Sequence, residues 1–375
     1  MMNPHIADLY SDYLLTSFSH STAIGMSKML DGAYSHDQIS RFLAQPTLGQ
    51  KDYWKSVKPI VRKVESSDGS ICIDDVITEK PHSTQNEIIT YHFDHTKNRS
   101  VKGINMISFL YHNQLADGQT VELPLAYEII RKPIRFTDLK TRREKRKSEV
   151  SKNELVRQRL KVLTQRNHVQ YKYALWDSWF SSNDNMSFVH YELKKHFIGA
   201  IKTNRLVALS KEEKLQGKFT RVDALDLQPD CVMEVWIKGL DFPVSLTKQV
   251  FTNKDYSTGV LYLVSNDTKL THQQTHTIYE RRWKVEEFHK SMKQNACLAK
   301  SPTKYEVTQS NHIFCVMIAY TKLELLKINQ AKNHFAIKAR LYLKAVKAAY
   351  QELNRMKKQF NLVNPAQLQA IPLLE

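Results

Sequence analysis

Apolar positions change their period along the chain, and this change divides the chain into parts. Up to about residue 65, apolar residues recur every three or four positions in segments that begin near a capping hydroxyl, which is typical of short helices. From Gly69 onward they alternate between turn residues, which predicts strands. The predicted helices span residues 11–15, 21–30 and 35–43, and the predicted strands span residues 70–76, 88–93, 101–111 and 121–130.

Helices and strands alternate in the next part of the chain. A helix opening at Ser151 precedes a strand at 170–177, a helix around 187–195 and a strand at 197–202. Residues 203–268 contain mostly strands and interrupt this alternation, whereas one long helix is predicted over residues 271–297. The order predicts an α/β fold with a mixed sheet that carries helices on both faces.

The charge of the chain narrows the class of partner. In 375 residues, 55 Lys and Arg against 38 Asp and Glu give a formal net charge of +17, which favours nucleic acid or an anionic membrane surface. Residues 138–166 contain eleven basic and four acidic residues, a run that a solvated helix face explains as well as DNA contact does. A second basic helix over residues 331–360 has an apolar stripe that suits docking, dimerisation or DNA.

Several classes of protein do not fit this sequence. The four cysteines lie far apart without a C-x-x-C pair, so neither a zinc ribbon nor a disulfide framework is indicated. The glycine-rich nucleotide-binding motifs are missing. The longest apolar run, residues 313–320, is far shorter than the roughly 18 residues that a membrane span needs. We therefore expect a cytoplasmic, nucleoid-associated protein without a membrane partner.

One predicted helix gathers polar side chains of a distinctive kind. At about 100° per residue, Tyr279, Arg282, Glu286, Lys290 and Lys293 fall on one narrow face, while apolar side chains gather on the opposite side. The cations lower the pKa of the acid and keep it ionised, so it suits a metal ligand beside phosphate-binding groups better than a general base. An ordinary salt-bridged amphipathic helix explains this face equally well.

Two strand ends add carboxylates to the same picture. Asp75 and Asp177 each lie where an apolar strand opens into a loop, although each alone fits a turn former. Together with Glu286 they form the carboxylate set that two Mg²⁺ ions use for in-line attack on a phosphodiester. The neighbouring Asp74 points to the opposite face of its strand, so only one of the pair can be the main ligand.

These motifs together resemble a known family. Tyr279, Arg282, Glu286 and Lys293 fit the spacing Y-x2-R-x3-E-x6-K, the signature of DDE-type insertion-sequence transposases with an RNase H-like catalytic core. Residues 73–80 resemble the first-aspartate segment of that family, and residues 175–180 resemble the second. In that family the aspartate usually stands just before a threonine, which favours Asp75 although Val76 follows it here.

The resemblance implies cut-and-paste transposition. A homodimer would bind the terminal inverted repeats of double-stranded DNA, hydrolyse the element ends, and join the freed 3′-hydroxyl to target DNA. Asp75, Asp177 and Glu286 would hold two Mg²⁺ ions, or Mn²⁺ in their place, while Tyr279, Arg282, Lys290 and Lys293 would bind DNA. The alternatives are an inactive DNA-binding protein derived from a transposase and an RNase H-like nuclease that cuts without joining.

The resemblance also assigns roles to the segments of the predicted fold. That fold is α/β, an RNase H-like mixed sheet flanked by helices. Its segments are a helical N-terminal DNA-binding domain (1–65), the first part of the core (66–202), a β-rich insertion (203–268), the completion of the core with the Glu-bearing helix (269–330) and a basic C-terminal helical region (331–375). Residues 35–43 follow the turn at Gly32 and suit a recognition helix, although a plain capped helix fits equally well.

Overall fold

The computed structural model describes residues 4–95, 97–252 and 256–363. Its N-terminal helices are α1 (Pro4–Thr16), α2 (Ala23–Met29), α3 (His36–Ala44) and α4 (Gln50–Val64). The first three correspond to the predicted helices, and α3 begins at a reciprocal cap between Ser35 and Gln38. The helix α4 was not among the three predicted helices. It buries Tyr53, Val57 and Val61 at helical spacing.

The first half of the sheet follows the predicted strands closely. Its strands are β1 (Ser70–Glu79), β2 (Thr90–Asp94), β3 (Arg99–Gln114), β4 (Thr120–Ile129), β7 (Tyr173–Trp176) and β8 (His196–Ile201). Antiparallel pairs join β1 to β3 and β3 to β4, whereas β7 runs parallel to both β1 and β8. The predicted RNase H-like mixed sheet is therefore confirmed.

The inserted β region lengthens this same sheet. It contains β9 (Leu206–Ala208), α7 (Lys211–Leu215), β10 (Thr220–Arg221), β11 (Val232–Ile237), β12 (Val244–Thr252) and β13 (Thr258–Ser265). Because β13 pairs with β8, the order β10-β9-β11-β12-β13-β8-β7-β1-β3-β2 is continuous. The proposed domain boundaries stay a prediction, and residues 364–375 of the basic C-terminal region lie outside the described residues.

The basic run divides between different elements. Its first part contains the strand β6 (Glu144–Lys147), which pairs with β5 (Ile134–Thr137), just before the run, to make a separate two-stranded sheet. The helix α5 (Lys152–Lys161) follows, with Ser151 accepting a hydrogen bond from the Glu154 backbone as expected for its cap. A π-helical turn at residues 162–166 continues it, and α6 (Asn183–Ser187) with a second π-helical turn at residues 188–192 leads into β8.

The prediction of one continuous helix over residues 271–297 is wrong. The segment forms α8 (His272–Glu280) and α9 (Trp283–Asn295), which are separated by a turn at Arg281 and Arg282. Cys72 Sγ contacts the Arg281 carbonyl oxygen at 3.2 Å, and Arg281 also donates to Ser70 Oγ at 3.1 Å. These contacts fix the turn against β1, and they depend on a tertiary neighbour that the helical pattern does not contain.

The last helices close the core. The helix α10 (Glu306–Gln330) packs against α1, α3, α4 and β4, and α11 (His334–Val363) follows it. Within α10, Glu324 is buried and forms ion pairs with Lys327 at 2.6 Å and His334 at 2.9 Å. Among the described residues, every helix is too short or too polar to cross a membrane.

Candidate active site

Two aspartates meet because two parallel strands lie in register. Ile73 of β1 pairs with Trp176 of β7, so the next residues, Asp74 and Asp177, leave adjacent strands side by side. Residues paired in this way point to the same face of a sheet, and the following residue, Asp75, points to the other face. The sequence contains both aspartates, but the register that selects Asp74 as the partner of Asp177 becomes visible only in the sheet.

The two adjacent aspartates have different surroundings. Asp74 Oδ2 lies 3.5 Å from Arg282 Nη1, whereas Asp75 Oδ2 accepts hydrogen bonds from Asn105 at 2.7 Å and Lys152 at 2.8 Å. Lys152 belongs to α5 and Asn105 to β3, so Asp75 is already engaged by a cation and an amide. The choice of Asp75 as the first ligand stays a prediction, and these contacts favour Asp74.

Burial raises the pKa of both paired aspartates. Desolvation, and then the negative charge of Asp177, raise the pKa of Asp74 to about 7 despite the opposing influence of Arg282. Desolvation also raises the pKa of Asp177, although this carboxylate accepts a hydrogen bond from the Trp179 backbone at 3.0 Å. Two carboxylates that are costly to ionise side by side form a site that a cation would stabilise.

Glu286 supplies the third carboxylate from the first turn of α9. It is exposed, and its Oε1 accepts a hydrogen bond from Arg282 Nη2 at 3.1 Å. Arg282 itself is only 7% exposed, and its guanidinium lies 4.6 Å from the centre of the Trp283 ring. This arginine therefore links Asp74 on β1 to Glu286 on α9 and holds the helix against the strand.

Asp74, Asp177 and Glu286 line one cavity of about 560 Å³, together with Asp75 and Asp94. Lys290 and Lys293 are exposed and also line it, which agrees with their predicted place beside the acid. Tyr279 is buried, and desolvation raises its pKa to about 12. The helical face predicted for all five polar residues therefore divides: Tyr279 and Arg282 are buried, whereas the two lysines are exposed and line the cavity.

The apolar side of this helix behaves as predicted. Val285, Phe288 and Met292 are fully buried and pack into the core. Sequence reasoning missed His289, which is buried between them and forms a hydrogen bond with Ser108 of β3 at 3.0 Å. Desolvation, and then Lys293, lower the pKa of His289 to about 3, so it stays neutral and anchors α9 to the sheet.

The far wall of the cavity contains residues at the end of the edge strand β2. Asp94 and His95 line the cavity, whereas His92 of the same strand is buried and does not line it. The His95 ring lies 5.3 Å from the ring of Trp179, which follows Asp177 by two residues. The alternation of polar residues on this edge strand was the signal, but nothing in it indicated proximity to β7.

The donor set fits a hard divalent cation, since all three proposed ligands are carboxylates. Across residues 4–95, 97–252 and 256–363, no three acidic, histidine or cysteine side chains already cluster as metal ligands do. The reason lies in the contacts, because the guanidinium of Arg282 lies between Asp74 and Glu286. The site is thus a cavity lined by suitable ligands, and the guanidinium of Arg282 links two of them.

Comparisons with known proteins agree with this geometry. A family model described as DDE superfamily endonuclease matches residues 5–218, and a model described as transposase DDE domain matches residues 145–322. A search of curated proteins found no match. The first match contains Asp74 and Asp177, and the second contains Asp177 and Glu286, so between them the matches cover these three carboxylates.

Proposed function

Because the chain belongs to the DDE superfamily endonucleases, whose model matches more than half of its length, we propose that it is a DNA transposase that moves an insertion sequence by cut-and-paste transposition. The two family matches support a transposase-type nuclease. The finer proposal includes hydrolysis at the element ends followed by joining to target DNA, carried out by a homodimer bound to terminal inverted repeats.

One observation carries this proposal. Asp74, Asp177 and Glu286 come from two strands and a helix that are distant in sequence, and they line one cavity. We propose these three as the ligands of two Mg²⁺ ions, or of Mn²⁺. Such ions, when bound, would lower the pKa of an attacking water and stabilise the leaving oxygen of the phosphodiester.

The basic residues of α9 have a separate task. Lys290 and Lys293 are exposed at the cavity, where they can bind phosphates on either side of the cleaved bond. Arg282 has its guanidinium between Asp74 and Glu286, so we propose that it positions these carboxylates. The predicted contacts of Tyr279 and Arg282 with DNA stay a prediction. Both side chains are buried, which does not favour direct contact with DNA.

The chemistry then proceeds as two displacements at phosphorus. In the first, the oxygen of water attacks the phosphodiester at an element end, and the 3′-oxygen leaves as a hydroxyl. In the second, that 3′-hydroxyl attacks a target phosphodiester and displaces a target 3′-hydroxyl. Both steps spread negative charge over the phosphoryl group, and Lys290 and Lys293 would stabilise that charge.

A supercoiled plasmid that carries the DNA flanking the reading frame tests the proposal. Incubation with the full chain and Mg²⁺ is expected to give excision followed by insertion products on a gel. Excision without joining would support the alternative of a nuclease, which the endonuclease description of the first match favours. A mobility shift without cutting would overturn the catalytic proposal and leave a DNA-binding protein.

A further inference from the structure

The hairpin of β5 and β6, which we call the basic ribbon (residues 134–147), stands outside the main sheet. Its two strands form a sheet of their own, and almost all of its side chains are exposed. Leu139, close to its tip, is 93% exposed. The ribbon therefore buries little apolar surface, and the hydrophobic core gives no reason for its presence.

The turn of the ribbon is well defined. Asp138 exchanges backbone hydrogen bonds with Arg143 and Arg142 at 2.9 and 2.8 Å, and its carboxylate accepts hydrogen bonds from Thr141 and from Lys145. Arg142 adopts a φ of 53°, in the left-handed region that such tight turns require. The shape of the tip is thus fixed by local contacts.

Positive charge is concentrated on the ribbon and on its root, the three residues just before it (131–133). Residues 131–147 contain nine basic and two acidic residues, a net charge of +7 out of +17 for the whole chain. Fewer than one residue in twenty thus carries about two fifths of the net charge. Cations held this close together repel one another, so the segment gains most from a partner with regularly spaced negative charges.

The root of the ribbon lies near the candidate active site. Arg146 donates a hydrogen bond to the Lys132 carbonyl oxygen at 3.2 Å, and Lys132 Nζ donates to the Tyr91 carbonyl oxygen at 2.7 Å. Tyr91 belongs to β2, and the last residue of that strand, Asp94, lines the cavity.

We propose that the basic ribbon is an arm that binds duplex DNA beside the cleaved phosphodiester, with its strands in a groove and its lysines and arginines on the phosphates. This inference rests on the proposed function and deepens it by naming a DNA-contacting element. A two-stranded ribbon is of a size that the major groove admits, and each phosphate neutralised releases counterions. Leu139 at the tip then faces the base edges.

Salt-dependent binding tests the arm without requiring cleavage. Fluorescence anisotropy of a labelled 40-base-pair duplex is measured with the full chain in EDTA over a range of KCl concentrations. In Arg135→Gln/Lys140→Gln/Arg143→Gln, the slope of log K against log salt is expected to become shallower by about 2–3, with binding weakened at least tenfold at low salt. These three side chains are exposed, so circular dichroism should show an unchanged fold.

A matched control removes the same charge elsewhere. Lys161 lies at the end of α5, Arg166 precedes β7 and Lys194 precedes β8. All three are exposed and lie toward the start of these strands, whereas Asp177 follows the end of β7. The Lys161→Gln/Arg166→Gln/Lys194→Gln protein should keep the parent slope within about one unit. If the ribbon variant and the parent had equal salt slopes, the proposed DNA-binding arm would be wrong. It would also be wrong if the ribbon variant and the control variant lost the same amount of slope.

Crosslinking gives an independent readout. Benzoyl-phenylalanine in place of Leu139 should crosslink to the duplex on illumination. The same group in place of exposed Tyr191, in the π-helical turn that precedes β8, should not. No crosslink at position 139 while the protein binds DNA would overturn the arm and leave the transposase proposal intact. Normal crosslinking by a protein that never cuts plasmid DNA would instead count against the transposase proposal alone.

Discussion

The molecule contains two groups of carboxylates with limited access to water, and they differ in how their charge is balanced. In the first, Asp74 and Asp177 lie side by side in an open cavity, and the pKa of each is raised by burial. In the second, Glu122 and Glu324 share Lys327 in the core between β4 and α10. Although burial opposes it, hydrogen bonds from His112 and Lys327 hold the pKa of Glu122 well below its usual range.

This difference separates a site from a structural network. The core pair has its own cation, Lys327, and each of its carboxylates also contacts a histidine, with His112 at 3.1 Å from Glu122 and His334 at 2.9 Å from Glu324. The cavity pair has one nearby arginine that Asp74 shares with Glu286. A carboxylate pair that the fold balances poorly, and leaves open to solvent, is the one suited to take up an external cation.

The largest expected effect is on cleavage. Asp74→Asn and Asp177→Asn should each lower the rate of plasmid cutting by roughly 10²–10³-fold or more, because each removes a proposed metal ligand. Binding to the duplex should be retained. Asp75→Asn is the matched control, since this carboxylate faces Lys152 and Asn105. If Asp75→Asn were inactive and Asp74→Asn active, the assignment of the first ligand would be reversed.

The next effect concerns the core pair. Lys327→Met should lower the free energy of unfolding by about 3–5 kcal/mol, because Glu122 and Glu324 lose their shared cation while both stay buried. Urea denaturation measures this change. Lys284→Met, which breaks an ion pair with exposed Glu287, should cost at most about 1 kcal/mol. Similar losses for the two variants would remove the distinction between the core and surface pairs.

Stability against pH should have opposite signs in the two regions. Asp74 has a pKa of about 7 in the folded protein against its ordinary value of 3.8 in the unfolded chain, so the folded protein holds the extra proton between these values. Its contribution to stability is therefore lost as pH rises from about 4 to 7, by up to about 1.4 kcal/mol per pH unit. Glu122, whose pKa is depressed, instead contributes stability above its unfolded pKa and loses it in acid.

Urea titrations in EDTA check these signs. Asp74→Asn should flatten the pH dependence of unfolding between about pH 4 and 7, and Glu122→Gln should leave that window unchanged while reducing acid sensitivity below it. A flat profile in the parent protein, or the same change in both variants, would contradict the contrast between the two carboxylate groups.

The smallest effect belongs to one phosphate contact at the cavity. Lys293→Gln should make the salt slope of duplex binding shallower by about 1, because this exposed lysine lines the cavity. Lys161→Gln at the opposite edge of the sheet is the control and should leave the slope unchanged. An unaltered slope for Lys293→Gln would exclude it from the DNA-binding surface.

The elements that could be predicted from sequence are those whose pattern is local. The apolar residues between turn signals located β1 and β3 to within a few residues, because these two strands are buried along most of their length. The break at Arg281 was missed, because contacts from Ser70 and Cys72 create it. The charge run at residues 138–147 was assigned no strand, since exposed strands have no apolar alternation to reveal them.

The same reasoning explains the candidate site. Three carboxylates could be chosen from strand ends and helix spacing, but Asp74 and Asp75 differ only in the pairing of β1 with β7, which is a long-range property. The burial of Tyr279 and Arg282 likewise depends on how α8 and α9 meet β1. Local sequence thus predicted the type of site, whereas the choice between neighbouring candidate ligands depends on tertiary pairing.

The continuity of the sheet across the inserted strands gives the protein considerable reach. Neighbouring strands lie about 4.8 Å apart, so the nine steps from β10 to β2 extend over roughly 43 Å. A double helix advances about 3.4 Å per base pair, so this distance corresponds to about 13 base pairs, more than one helical turn. Because neighbouring strands twist relative to one another, this width is an upper value, so DNA lying along the sheet is expected to show a contribution of at most about 13 base pairs from it in a nuclease-protection experiment.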